Sequence, residues 1–209
     1  NPITQGYTGI HTASPNERLT VEQGNINVNT PEFSYMIDDL PVLHYRGAVG
    51  STPSISNIFV GVGAGEHNAA NQGGVRNTMV GDSAGYWNVV ENQLTFVGYK
   101  AGFNNISAYG NTFVGNCAGM KTTTGKGNTF MGDSAGYSNT TPDGNTFIGM
   151  YAGWGNILGD GNCYFGIHAG HNNKGRHNIF VGPDCGRGND STNYNIFLGS
   201  NAGFWNGVW

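Results

Sequence analysis

From Asn57 onward the chain restates one phrase, Asn-x-Phe-Val-Gly-x-x-Ala-Gly-x-x-Asn, in nine copies. The first Gly falls at Gly61, Gly81, Gly98, Gly115, Gly132, Gly149, Gly166, Gly182 and Gly199, so the steps are 20, 17, 17, 17, 17, 17, 16 and 17 residues. A second Gly follows four residues later in every copy, from Gly65 and Gly85 to Gly186 and Gly203. Three residues beyond it stands Asn in eight copies (Asn68, Asn88, Asn105, Asn139, Asn156, Asn173, Asn189 and Asn206), with Thr122 the departure. The residue before the second Gly is Ala in eight copies and Cys185 in the ninth. A fixed period of this kind marks a solenoid, in which each repeat buries its apolar face only against its neighbours.

The period also says what each coil is made of. Phe59-Val60, Phe96-Val97, Phe113-Val114, Phe130-Met131, Phe147-Ile148, Tyr164-Phe165, Phe180-Val181 and Phe197-Leu198 are β-formers in stretches too short for a helix. Gly and Asn bound them, as residues that tolerate the left-handed backbone a turn requires. The expected fold is all-β, a parallel β-solenoid of about nine 17-residue coils over residues 57–209. At about 4.8 Å per coil it makes a rod on the order of 43 Å long. Residues 1–30 read as a small β-structured neck, with strand-like Leu19-Thr20-Val21-Glu22 and Ile26-Asn27-Val28 around a turn at Gln23-Gly24-Asn25. Residues 31–56, carrying Pro31, Pro41 and Pro53, read as extended pieces linking the neck to the first coil.

Neighbouring strand residues point to opposite faces, so one member of each Phe-Val pair fills the coil and the other points out of it. Either choice leaves an outward apolar column nine residues tall, a feature rarely left bare. The row Phe59, Phe96, Phe113, Phe130, Phe147, Tyr164, Phe180 and Phe197 is therefore assigned to coil core or subunit contact. A parallel homo-oligomer covers the column on every chain at once, and a homotrimer is the expected form.

Composition narrows the partners. Charged residues are 11% of the chain, against roughly 25% in ordinary domains. The formal net charge is −4, with no Lys/Arg cluster to neutralise phosphates, so no nucleic-acid partner is expected. No apolar run approaches a membrane span and no charged-then-apolar leader opens the chain, so no membrane insertion is expected. Cys117, Cys163 and Cys185 are too few for a disulfide framework and replace small residues of sibling copies, which reads as packing.

The phrase Asn-Thr-Phe-Val-Gly-x-x-Ala-Gly at 111–119, with its relatives at 128–136 and 145–153, resembles the repeats of large trimeric fibre proteins of bacteria and phage-like particles. Residues 13–26 (Ala-Ser-Pro-Asn-Glu-Arg-Leu-Thr-Val-Glu-Gln-Gly-Asn-Ile) resemble the lead-in segment of the same proteins, and 36–44 (Met-Ile-Asp-Asp-Leu-Pro-Val-Leu-His) the linker into their repeats. The Val-Gly-x-x-Ala core is also similar to the head repeats of YadA-type trimeric adhesins, whose shorter repeat forms a left-handed parallel β-roll. The resemblance implies a trimeric fibre whose self-cleaving chaperone domain has no counterpart in this sequence, so that the chain corresponds to the fibre portion.

Chemistry is weighed against that scaffold. A polysaccharide-cutting spike needs two carboxylates about 5–9.5 Å apart. Asp82 and Asp133 share one repeat position but lie three periods apart, about 14 Å along the rod. Acids in other rows, Asp160, Asp184, Asp190 and Glu91, are left to meet only across a chain boundary, and Asp38-Asp39 reads as a solvated turn. An enzyme is not expected. His168, His171 and His177 carry no zinc-like spacing and read as surface; no metal or cofactor is expected. Gly125-Lys126-Gly127 lacks the Gly-Lys-Ser/Thr and following helix of a phosphate loop.

The row after the second Gly is large and aromatic: Glu66, Tyr86, Phe103, Met120, Tyr137, Trp154, His171, Arg187 and Phe204, with Trp87, Trp205 and Trp209 beside it. Aromatic faces of this kind bind sugars and other apolar-faced ligands, and the same row also suits a stacking ladder or a subunit contact. The expected role is an extracellular trimeric fibre segment, on a cell, a vesicle or a phage-like particle. It would act as an adhesin, meeting cell-surface glycan or protein by multivalent contact. A purely structural shaft is the first alternative and a polysaccharide-degrading spike the second.

Overall fold

The computed structural model describes residues 32–37, 40–46, 57–68, 74–189 and 193–204. The expected neck, residues 1–30, lies outside them, as do Asp38, Asp39, Asp190, Trp205 and Trp209.

Each copy of the phrase contributes one three-residue strand: β3 (Ile58–Val60), β4 (Thr78–Val80), β5 (Thr95–Val97), β6 (Thr112–Val114), β7 (Thr129–Met131), β8 (Thr146–Ile148), β9 (Cys163–Phe165), β10 (Ile179–Val181) and β11 (Ile196–Leu198). Every strand pairs in parallel with the next, at equivalent positions, in eight successive steps. The chain is thus a parallel β-solenoid of about eight turns, as the period predicts, with no helix among the described residues. Within the expected linker, β1 (Glu32–Ile37) and β2 (Leu40–Arg46) form an antiparallel hairpin, and β2 pairs antiparallel with β3 at the start of the sheet. Copy two carries Met in the Phe seat, and Met79 is buried in β4 like its aromatic siblings.

The Phe-type residue is the one inside. Phe59, Phe96, Phe113, Phe130, Phe147, Tyr164 and Phe180 are all 0% exposed within a single chain, so these seats are coil core with no surface left for a subunit contact, and Phe197 at the end of the stack packs half-buried against the same core. Its rings stack coil on coil, with centroids 4.7 Å apart for Phe113 and Phe130 and 4.9 Å for Phe130 and Phe147. Those distances are the strand spacing itself. The Ala before the second Gly is buried beside the rings in copies one to seven and half-buried as Ala202 in copy nine, and Cys185 takes that seat in copy eight, as its small size suggests. Tyr164 keeps the stack by donating its hydroxyl to Asn173 Oδ1 at 2.8 Å, and burial pushes its phenol pKa well up.

The invariant glycines answer two separate demands. The first Gly of a copy approaches the backbone of the next coil: a Cβ on Gly132 (φ +134°) would stand 2.7 Å from the Gly149 carbonyl. The second faces the core ring of its own copy: a Cβ on Gly136 (φ +59°) would stand 2.5 Å from Phe130.

Asn proves to be more than a turn residue. The Asn that opens seven of the nine copies, from Asn57 to Asn178, is buried, and its side-chain oxygen accepts the backbone N–H of its successor one coil on. Asn128 donates to Asn111 at 2.8 Å, Asn145 to Asn128 at 2.9 Å and Asn162 to Asn145 at 2.8 Å. The amide nitrogen donates to a loop carbonyl of the next coil, as Asn128 Nδ2 does to Pro142 at 3.0 Å. Each side chain thereby satisfies turn backbone that would otherwise be buried unpaired. Leu94 stands in this row in copy three, buried but with no oxygen to offer Asn111.

The Asn after the second Gly forms another buried column, in which Asn68 Nδ2 donates to Asn88 Oδ1 at 2.8 Å and Asn88 Nδ2 to Asn105 Oδ1 at 3.3 Å. The column is interrupted where the sequence departs from its pattern, and resumes with Asn156 Nδ2 donating to Asn139 Oδ1 at 2.9 Å. Among the described residues, the buried side-chain polar atoms lacking a hydrogen-bond partner are Asn105 Nδ2 and Thr122 Oγ1. Thr122→Asn restores the missing acceptor and is expected to raise stability by about 1–3 kcal/mol. A thermal midpoint at or below that of the parent chain would contradict this.

Five residues before the first Gly the backbone is left-handed in every later copy. Gly110, Gly127, Gly144 and Gly161 suit it, whereas Arg76, Gln93, His177 and Tyr194 hold φ of 59°, 59°, 56° and 60°. Relieving exposed Gln93 by Gln93→Gly is expected to add about 0.5–1 kcal/mol, the left-handed penalty less the entropy glycine loses. Unfolding in urea measures it.

Candidate functional site

The described surface offers two organised regions: the row after the second Gly on one side of the coil, and the outward positions of the strands on another.

The first region is a ladder. Tyr86 stacks on Phe103 at 5.2 Å and 9°, Tyr137 on Trp154 at 5.9 Å and 11°, and Trp154 on His171 at 5.3 Å and 7°. Met120 holds the equivalent place between Phe103 and Tyr137. The Arg187 guanidinium lies 5.9 Å from the Phe204 ring centre and the Lys121 ammonium 5.0 Å from that of Tyr137. Beside the ladder, Trp87 stacks on His67 at 4.0 Å and remains 41% exposed. The predicted residues Tyr86, Phe103, Tyr137, Trp154, His171 and Phe204 thus fall in one column. The paired rings spend faces on each other and present edges outward. A flat sugar face needs a free ring face, and the exposed rings of Phe204 in this row and of Trp87 beside it are the places best able to give one.

Next to the ladder, the residue two after the first Gly has a left-handed backbone in each copy. In copies six to eight this row holds Tyr151, His168 and Asp184, which sequence reasoning did not gather. His168 stacks on Tyr151 at 5.5 Å and sets its Nδ1 3.3 Å from Asp184 Oδ1, which also accepts from Arg187 at 2.7 Å. His168 and His171, in different rows, meet edge to face at 5.7 Å. The signal was in the register: residues two and five after each first Gly are neighbours across the same turn, and adjacent copies lay them side by side. Most carboxylates are dispersed, but Asp143 and Asp160 share one row on successive coils, where the Asp143 backbone N–H donates to Asp160 Oδ1 at 3.0 Å. Asp133 accepts from Asn116 at 3.2 Å, Asp160 lies 3.7 Å from Arg176, and Asp184 joins His168 and Arg187. Among the described residues no group of three or more His, Cys, Asp or Glu is arranged to hold a metal ion.

Burial first, then the neighbouring Arg187 cation and His168, holds the His171 imidazole below its ordinary pKa, with Asp184 opposing. Below the unfolded value of about 6.5 the unfolded chain therefore takes up more protons at this site than the folded one. The stability this site contributes is full above about pH 6.5, is lost as pH falls through the folded pKa, and changes no further below it. His171→Phe keeps a ring on Trp154 and removes the titration. The fall in thermal midpoint between about pH 7.5 and 5 is expected to be smaller in the variant. An unchanged fall would place the proton uptake elsewhere.

The second region is the outer sheet face. With Phe-type residues inside, Val60, Val80, Val97, Val114, Met131, Ile148, Phe165, Val181 and Leu198 point outward, none of them buried. The other outward strand position is Thr in β4 to β8, and Ile58, Cys163, Ile179 and Ile196 elsewhere.

Compared with known proteins, the chain matches no family model, no curated protein and no solved structure.

Proposed function

We propose that this chain is the repeat segment of an extracellular homotrimeric fibre acting as an adhesin, which meets glycan or protein on an opposing surface by multivalent contact. The observation that carries the reading is the outward Val column. The coil core is already complete, since its seats are taken by Phe-type rings and Ala. The nine apolar residues of the column are therefore not needed to fill the core of a lone chain, and they leave a half-buried to exposed apolar stripe about 38 Å tall. Parallel copies around one axis cover all such stripes together and leave the aromatic row and its polar neighbours displayed once per chain. Three weak sites on one particle then act by avidity.

Light scattering on the intact chain is the test, followed by a glycan array probed with the assembled material. Three times 22.1 kDa, about 66 kDa, is the expected mass. A mass of one chain would remove both the fibre and the avidity built on it. The ring-on-ring ladder favours a second reading, a structural shaft with recognition elsewhere. An assembled trimer that retains no glycan or surface protein would select it.

A further inference from the structure

The sheet face changes character along the stack. Three columns adjoin there: the two outward strand positions and the residue just after the first Gly. Through the middle coils the central apolar column is flanked by Thr95, Thr112, Thr129 and Thr146 on one side and by Asp82, Tyr99, Asn116 and Asp133 on the other. The flanks then turn apolar, with Met150, Ile167 and Pro183 on one side from the sixth copy and Cys163, Ile179 and Ile196 on the other from the seventh, so that Thr146 and Ser200 are the polar residues left at the two ends of this stretch. The first coil, where β3 pairs with β2, is also flanked by apolar Ile58 and Val62. Ile167, Ile179, Val181, Ile196 and Leu198 are between 39% and 69% exposed. No formal charge stands on the three columns in these last coils, and the charges elsewhere on them are Asp82 and Asp133.

We infer that the sheet face of the last four coils is the clamp on which further copies of this chain dock, in parallel register, bringing Cys163 of one chain beside Cys163 of the next. The inference rests on the proposed fibre assembly and says where along the rod that assembly is held. A second copy is the occupant because the stripe has a spacing few other surfaces share. Its layers rise by one coil, about 4.8 Å, and an identical chain in the same register meets each layer with its own equivalent. Antiparallel copies overlapping along the whole stack would bury Asp82 against the apolar Ile179 and Val181 layer, whereas parallel copies keep Asp82 and Asp133 beside their own equivalents in coils outside the clamp, where water still reaches them. The Thr flanks of the middle coils carry hydroxyls that keep water bound, so the same column contributes less there.

The experiment uses the whole chain and two readouts. Val181→Glu and Ile167→Glu, pointing outward, leave the coil intact by circular dichroism and are expected to weaken association at least about 100-fold, giving the mass of one chain. Thr112→Glu, at the middle of the face, keeps the full mass. For register, cysteines 117 and 185 are replaced by Ser and Ala, and a short bis-maleimide is added. Cys163 is expected to couple to itself between chains, and so is a cysteine placed by Thr112→Cys in a chain also carrying Cys163→Ser. Antiparallel copies, whether centred on the stack or on its last coils, bring at most one of these pairs within reach.

A parent chain that scatters as a monomer overturns both this inference and the fibre reading. An assembled parent that Val181→Glu leaves intact, or that Thr112→Glu dissociates equally, overturns the clamp alone. Failure of the two self-couplings in an assembled chain overturns the parallel register.

Discussion

Gly132→Ala is expected to lower stability by about 3–5 kcal/mol, with Gly136→Ala close behind at about 2–4 kcal/mol and Gly127→Ala at only about 1 kcal/mol. All three glycines have positive φ, of +134°, +59° and +64°, so backbone preference alone does not separate them. Space does. A Cβ on Gly132 meets the Gly149 carbonyl at 2.7 Å, and neighbouring coils cannot part there without breaking the Gly149 N–H bond to the Met131 carbonyl at 2.8 Å. A Cβ on Gly136 meets the edge of a packed ring, which is able to shift a little. A Cβ on Gly127 meets nothing within 4 Å, so that variant bears only the left-handed strain. Urea midpoints followed by far-ultraviolet circular dichroism rank the three. Equal midpoints would mean that coil-to-coil approach does not set the glycine positions, and this account of the fold would fail with them.

That ranking also shows how the sequence speaks of this fold. Nine first glycines and nine second glycines gave the coil, its period and its parallel pairing, because a position that tolerates no Cβ tolerates no drift either. The direction of the Phe-Val pairs was not legible. Both residues are apolar β-formers, and only the volume inside the coil, which admits a ring beside Ala and Gly, decides that Phe130 turns in and Met131 out. The Asn rows were visible as letters but not as ladders, since a turn-forming Asn and a buried Asn bridging two coils look alike in one dimension. Their partners lie 17 residues on, in the next copy. Of the candidate site, the aromatic row was plain from the register, and its self-stacking follows from the same 4.8 Å repeat that stacks the core. The meeting of His168, Asp184 and Arg187 was equally available from that register but needed two rows to be read together. The apolar turn of the sheet face after copy six was likewise hidden while the inward residue was unknown.

Phe130→Ala is expected to cost about 3–5 kcal/mol, and its more informative result comes in combination. The ring lies between Phe113 and Phe147, at 4.7 and 4.9 Å, so its loss opens a cavity and removes a stacking partner from both neighbours. It also removes the atoms that forbid a Cβ on Gly136. In the Phe130→Ala background, Gly136→Ala should therefore shed its steric part and retain only the backbone strain of φ +59°, making the double variant more stable than the sum of its parts by about 1–3 kcal/mol. Gly132→Ala should show no such relief, because what it meets is the Gly149 backbone, which the ring does not hold in place. Opposite couplings, relief at Gly132 and none at Gly136, would mean that the core stack, and not the hydrogen-bonded backbone, sets the spacing of the coils. The expected pattern makes each coil the product of two independent constraints. The backbone fixes how closely the coils approach, and the ring then fills the interior that this approach leaves.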